Sequence, residues 1–260
     1  MKKLLAVILA LTLVLAFASC GDTTNTNSVA DVSSEASTKL VMATNAAFPP
    51  YEYVDGDKYV GIDVEIAEAI AAKLGLELEI QDVDFDTILG LVETNKVDIG
   101  MSGMTVTEDR LKSVNFSTTY ATAVQVVLVK EGGKVASIED LDKEDIMIGV
   151  QQGTTGDIYA CDDYGIEKVT QYKAYGDAVA SLSAGKIDAL ILDSEPGKAF
   201  AAANEGLYVL ETAYADEEYA ICINKANTEL LEKINTALGE LIADGTVAQI
   251  TNKYIPADEQ

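Results

Sequence analysis

The sequence predicts an α/β protein of two similar halves, each a mostly parallel sheet flanked by helices. Three observations predict it. Strand patterns alternate with helical ones over Thr38–Met101 and again over Ile146–Asp193, the order that builds parallel sheets. The composition is that of a folded chain, 48 % apolar and 23 % charged, and 260 residues leave room for two domains. The halves also echo each other: Glu93–Met101 (ETNKVDIGM) and Ser183–Ile191 (SAGKIDALI) each read as a helix end, then Lys-apolar-Asp, then an apolar strand. Each strand delivers a polar residue at its carboxyl end, Ser102 in one and Asp193 in the other. Ligands of α/β sheets sit there.

Thr38–Thr44 is a short apolar strand running into Asn45–Tyr53 (NAAFPPYEY), a loop stiffened by two prolines and carrying three aromatics. Asp55-Gly56-Asp57 marks a turn. Over Ile62–Leu74 the apolar residues fall on a helical stripe that Gly75 closes. Leu76–Ile80 alternates as a strand. Asp86 or Thr87 is expected to cap a helix carrying Ile88, Leu89 and Val92, and Val97–Met101 is a buried strand. The second half begins after the apolar strand Ala123–Lys130. Ile146–Val150 is a strand, Gln151–Gly156 (QQGTTG) a loop, and a helix starts near Asp157. Val169–Tyr172 is a strand, Asp177–Gly185 a helix, and Ile187–Leu192 a strand ending at Asp193. Glu218–Asn224 alternates as one strand, Leu230–Asp244 is an amphipathic helix, and a last helix passes through Lys253 and Tyr254.

The first residues read as a targeting signal. Met1-Lys2-Lys3 is a charged start and Leu4–Ala16 an apolar run short for a permanent span. Small residues then precede Cys20, which resembles the lipobox of bacterial lipoproteins, although Phe17 stands where leucine is usual. Residues 1–19 are therefore expected to be a cleaved signal peptide, Cys20 the lipidated first residue, and 20–37 a flexible tether. The Ser, Thr, Asn and Asp of that tether bury too little to order it. As a coil it would reach roughly 23 Å, enough to keep a globular body near a membrane. Cleavage removes Lys2 and Lys3 from 18 basic residues set against 43 acidic ones, taking the net charge from −25 to −27. Such a surface repels phosphate backbones and anionic headgroups, so no nucleic-acid partner is expected and the membrane is reached through the lipid anchor only. Cys161 and Cys222 sit in dissimilar settings, one acidic and helical, one in a strand, and are expected as separate thiols.

Arg110 is the only arginine in the chain. Its planar fork grips a carboxylate with two parallel hydrogen bonds, which lysine cannot do. The other use for it is an ion pair with a neighbour such as Glu108 or Asp109. Ser102, Gly103 and Thr105 precede it on a polar loop, and Thr154 and Thr155 stand on the corresponding loop of the second half. This group suits an anion, whereas Asp193 suits a cation. Together they match the two ends of a free amino acid, with Phe48, Tyr51 and Phe85 walling its side chain. Asp193 also precedes Ser194-Glu195-Pro196 and so reads equally as a helix N-cap.

These residues lie within motifs that carry a resemblance. FPPYEY (48–53), GIDVEIAEAIA (61–71), KVDIGMSGMTVTEDR (96–110), VQQGTTGDIY (150–159), KIDALILD (186–193) and ADGTVAQITNKY (243–254) are similar to those of extracellular solute-binding proteins of the polar amino acid family (family 3), the capture subunits of ABC importers. The resemblance implies a two-lobed periplasmic-binding-protein type II fold joined by two hinge strands. Residues 38–121 with 216–260 would form lobe one and 124–213 lobe two, with hinges near 122–123 and 214–215. It implies a carboxylate grip of Arg110 helped by Ser102, Thr105 and the Thr155 backbone, ammonium acceptors at Asp193 and the Gly103 backbone, and an aromatic clamp of Phe48 and Phe85. Asn45, Tyr51, Met104, Gln151 and Thr154 complete the expected ligand set. Asn45 replaces the Asp of several members with cationic ligands, and Gln151 suits a polar uncharged group. The expected ligand is therefore glutamine-like, with arginine or another basic amino acid next. The expected partners are that free amino acid and the membrane subunits of an importer, with the protein a monomer on the outer face of a bacterial cell membrane.

Enzyme chemistry is not expected. The chain has no histidine, no GxSxG, no P-loop lysine after Gly153–Gly156 and no Cys/His cluster. Asp82, Asp84, Asp86 and Glu93 have partial EF-hand spacing, but Thr87 stands where the loop glycine belongs. Neither a cofactor nor a metal is expected. A dehydratase-like enzyme or a sensor ectodomain on the same fold is the alternative.

Overall fold

The computed structural model describes residues 38–210 and 213–256; the leader, Cys20 and the tether lie outside them. Strand β1 (Lys39–Thr44) is followed by a small antiparallel sheet of β2 (Ala47–Phe48), β3 (Glu52–Asp55) and β4 (Lys58–Val60). Helix α1 (Ile62–Leu74) ends as its sequence requires, with Gly75 in the left-handed conformation at φ 70°. Next come β5 (Glu77–Asp82), α2 (Phe85–Glu93), β6 (Ile99–Gly100), the short α3 (Arg110–Ser113) and β7 (Val114–Phe116). Asp84, not Asp86 or Thr87, holds the N-cap position of α2. Asp86 is turned outward instead, to a lysine across the cleft.

The second half comprises β8 (Ala121–Lys130), β9 (Ile148–Gln151), α4 (Thr155–Tyr164), β10 (Val169–Tyr172), α5 (Tyr175–Ser183), β11 (Ala189–Asp193), α6 (Ser194–Ala203) and β12 (Leu207–Val209). The chain then returns through β13 (Ala215–Tyr219), β14 (Cys222–Asn224), α7 (Thr228–Ala243) and α8 (Thr246–Tyr254). No helix among the described residues is long and apolar enough to cross a membrane.

Two mixed sheets with flanking helices make a two-lobed α/β fold. One has the order β5-β1-β6-β14-β7; the other runs β10-β9-β11-β8-β12, with β13 also paired to β8. In each, three successive strands are parallel, β5-β1-β6 and β10-β9-β11. Apolar side chains of α1, α7 and α8 cover the first sheet, with Ile66, Ile70, Ile234 and Leu238 fully buried. Val127, Val129, Ile148 and Ile191 fill the second.

The stretch expected as one strand over Glu218–Asn224 is two. Glu217 and Tyr219 of β13 pair antiparallel with Ala123 and Ala121 of β8, whereas Cys222 and Ile223 of β14 pair with Gly100 and Ile99 of β6. Ala220 and Ile221 carry the chain from one sheet to the other, and both are buried. Residues 216–219, assigned from sequence to the first lobe, thus hydrogen-bond in the second sheet. β8 and β13 run side by side as the two connections between the sheets.

Candidate functional site

The two sheets present their strand ends to a common, tightly closed cavity. From the first half it is lined by Asn45, Phe48, Phe85, Ser102, Gly103, Thr105 and Arg110, and from the second by Gln151, Thr154, Thr155 and Asp193. Two expected residues are not on its wall. Met104 is fully buried, packed among Phe85, Ile88 and Val92 in the core beneath α2; alternation along the loop turns its side chain away from its neighbours Gly103 and Thr105. Tyr51 lines a separate recess beside Tyr120 and Ile255, and supports the site from behind by stacking on Phe48 at 5.9 Å.

β6 ends at Gly100, where a Cβ would meet Cys222 and Ile88, and the chain then opens into a loop. Gly103 has φ +50°, and a Cβ there would come within 2.8 Å of the Phe48 ring. Only glycine allows the aromatic ring and this backbone turn together. The loop delivers Arg110, 6 % exposed, at the first turn of α3. Its guanidinium pairs with neither Glu108 nor Asp109; Asp109 bonds Lys112 instead. It donates to the Thr105 carbonyl at 2.7 Å and, across the cleft, to the Gly153 carbonyl at 3.1 Å. The Phe85 ring lies 5.7 Å beneath it, a cation–π contact. Burial lowers its pKa, and Glu217 of β13 is the anion that most opposes that shift.

On the opposite wall Thr154 is the N-cap of α4, its hydroxyl accepting the Asp157 N–H at 3.2 Å. Asp157 takes the Gly153 N–H at 2.9 Å and is itself held by Gln171, which fixes the carbonyl that Arg110 uses. Thr154 and Thr155, which open α4, line the cavity, and the start of a helix is a setting that favours an anion. Asp193 occupies the N-cap position of α6 but makes no capping bond. Its carboxylate turns to the cavity, where the Tyr219 hydroxyl and Gln125 amide donate to it. Burial pushes its pKa up to about 7, with Tyr219, Gln125 and Arg110 pulling the other way. Arg110 and Asp193 therefore line one cavity with no hydrogen bond or ion pair recorded between them, a cation from one half and an anion from the other.

Three wall residues were not expected from sequence: Glu52, Gln125 and Tyr175. A lone glutamine inside the apolar run of β8 was a usable signal for Gln125. Tyr175 opens α5 and stacks on Phe48 at 5.5 Å. Glu52, at 0 % exposure, accepts the Ser102 hydroxyl at 2.6 Å, and burial beside Asp63 raises its pKa well above the carboxylate range.

The walls are drawn together. Gln151 donates to Asn45 at 2.8 Å and to the Lys173 carbonyl at 2.8 Å, and Lys173 reaches Asp86 at 2.8 Å and Asp84 at 3.5 Å across the mouth. The three aspartates of the EF-hand-like run are thus engaged: Asp82 accepts the Ala46 N–H at 2.9 Å, and Asp84 and Asp86 bind Lys173. Cys161 and Cys222 are free thiols, and burial pushes the Cys222 pKa up to about 12.

The family model of bacterial extracellular solute-binding proteins, family 3, matches residues 40–257. The chain belongs to that family. It is 31 % identical over 264 residues to the arginine-binding extracellular protein ArtP of Bacillus subtilis (strain 168), covering 100 % of both chains. Solved structures of an ancestral arginine-binding protein are similar at 37 % identity: the glutamine-bound form has TM-score 0.79 and covers 84 % of this chain and 97 % of its own, and the arginine-bound form has TM-score 0.78 and covers 84 % and 98 %. An ancestral amino acid-binding protein, AncCDT-1, a precursor of cyclohexadienyl dehydratase, is similar at 33 % identity and TM-score 0.78, over 84 % of this chain and 95 % of its own.

Proposed function

We propose that the protein captures a free L-amino acid between its lobes, closing about β8 and β13, and hands it to the membrane subunits of an ABC importer. The observation that carries this reading is the placement of Arg110 and Asp193 on opposite walls of one cavity. The ligand's α-carboxylate lies against Arg110, the Thr105 and Thr155 hydroxyls and the first turn of α4. Its α-ammonium lies against Asp193, and its side chain runs between Phe48 and Phe85 toward Asn45 and Glu52. Ser102, Gly103, Gln151 and Thr154 shape that path.

Arginine is the ligand these contacts favour. Gln151, which suggested a neutral polar side chain, already spends its amide on Asn45 and Lys173. Glu52 offers a buried carboxyl on the cavity wall, and the groups that act on it are a hydroxyl and other acids rather than a cation. Cys20 is proposed as the lipid attachment, which places a monomer at the outer face of the bacterial membrane and delivers ligand without turnover. Titration calorimetry with the twenty amino acids tests the reading. Micromolar or tighter binding of arginine is the expected result; binding of none of the twenty discards it, and preference for glutamine discards the ligand choice.

A further inference from the structure

Glu52, the first residue of β3, and Asp63, in the first turn of α1, are both fully buried. Glu52 Oε1 accepts the Ser102 hydroxyl at 2.6 Å. Asp63 Oδ2 accepts the Gly103 N–H at 2.9 Å and the Tyr120 hydroxyl at 2.8 Å. The two remaining oxygens, Glu52 Oε2 and Asp63 Oδ1, are buried without a hydrogen-bond partner among the described residues; the two carboxyls are held by the adjacent residues Ser102 and Gly103, close enough for each to act on the other's protonation. Ionised carboxylates only accept, so two of them leave both oxygens orphaned and repel each other in a buried site. One proton between Oε2 and Oδ1 satisfies both. The charged and titratable groups that act on the pair are Asp193 at the end of β11, Tyr51 beside Glu52, and Tyr120 ahead of β8. None is a cation that would neutralise a second negative charge.

We propose that Glu52 and Asp63 hold one proton between them in the empty cleft and give it up to a cationic ligand side chain, so that proton exchange at this pair sets the preference for arginine over neutral amino acids. This rests on the amino acid reading above. In the exchange the Glu52 O–H bond breaks, the proton leaves to solvent, and a guanidinium N–H takes its place as donor to Glu52; one positive charge replaces another. A neutral side chain leaves the proton where it is. Asp193 behaves differently. It must be ionised to meet the ammonium of any amino acid, so its proton is lost with every ligand and cancels between two of them.

Calorimetric titration of the full chain with arginine and with glutamine, at pH 7 in buffers of different ionisation enthalpy, counts the protons. The expected result is about one more proton released per arginine than per glutamine, with the ratio of the two affinities rising by up to about tenfold per pH unit. Equal proton counts would overturn the proposal. Asp63→Asn keeps an acceptor for Gly103 and Tyr120 and gives Glu52 a permanent amide donor, and Glu52→Gln keeps the bonds to Ser102 and Asp63. In both variants the excess is expected to vanish; an excess that survives in either also overturns it. Glutamine bound with arginine rejected overturns this proposal and leaves the amino acid reading standing. Binding of neither overturns both.

Discussion

In the first half of the molecule Asp98 accepts the Val41 N–H at 2.8 Å and gives its own N–H to the Val41 carbonyl at 2.9 Å. In the second half Asp188 does the same with Met147, at 3.0 Å and 2.8 Å. Each thereby ties the start of its sheet's central strand to the parallel neighbour, β6 to β1 and β11 to β9. The resemblance ends where those strands do. β6 gives way after Gly100 to a loop that turns through Gly103 and delivers a cation, Arg110. β11 runs on to Asp193 and delivers an anion at the point where α6 begins. Two copies of one scaffold thus present opposite charges to the same cavity, and the chemistry lives in the segment beyond each strand's carboxyl end.

The contrast breaks most sharply at the first half's end. Arg110→Ala removes the cation and leaves the ligand carboxylate desolvated against Phe85. It is expected to weaken amino acid binding by about 2–5 kcal/mol, the usual cost of truncating one side of a buried charge pair. Calorimetry showing unchanged affinity would remove Arg110 from the site.

At the second half's end Asp193→Asn keeps the geometry and removes the charge, with an expected loss of about 1.5–3 kcal/mol of binding. The empty protein responds in the opposite sense. Because the folded pKa of Asp193, about 7, lies above its ordinary value, the folded state binds the proton more tightly. That contribution to stability is complete at low pH and is lost as pH rises toward 7; Asp63, raised to about 6, adds to the same slope. Asp193→Asn without ligand is therefore expected to melt higher than the parent at pH 8, and the difference to shrink by pH 4. A variant that melts lower at pH 8 would mean that Asp193 holds the lobes together rather than waiting for a ligand.

Sequence patterning reached the halves, their parallel strands and both charged ends, because each rests on local signals: the 3.6-residue stripe of α1 with Gly75 behind it, the paired Lys-apolar-Asp runs, a single arginine. It missed the features that depend on distant chain. Glu52 sits between two tyrosines in a loop, and nothing near it announces that β2 and β3 fold it onto Ser102, 50 residues away. Asp63 reads as an exposed acid in a helix's first turn, where such residues are common; its partner Tyr120 is 57 residues on. The break in Glu218–Asn224 is hidden because both pieces alternate correctly. Only the switch of partner strand at Ala220 and Ile221 separates them.

The shared scaffold can be broken as well. Asp98→Ala and Asp188→Ala each orphan one backbone N–H, of Val41 in β1 and of Met147 just ahead of β9; Asp188→Ala also gives up the half-exposed contact with Lys134, a weak one. Each is expected to cost about 1–3 kcal/mol of stability, equal within error, with ligand affinity unchanged in the variants that fold. Denaturant unfolding measures the first and calorimetry the second. A large inequality would show that the echo is one of sequence alone.

The smallest effect is expected where the walls meet. Lys173 belongs to the second half and Asp84 and Asp86 to the first, and their ion pairs exist only while the mouth is shut. The lysine is half exposed, at 51 %, so water and salt screen most of its attraction. Lys173→Ala should therefore change nothing at the cavity itself but ease opening, raising the ligand off-rate a few-fold at low ionic strength. That difference should fade at 1 M salt, where the screening length falls to about 3 Å. Stopped-flow dissociation at the two salt concentrations measures it. An effect that persists undiminished at high salt would mean the lysine acts through the packing of its carbon chain, and that the mouth is closed by shape rather than charge.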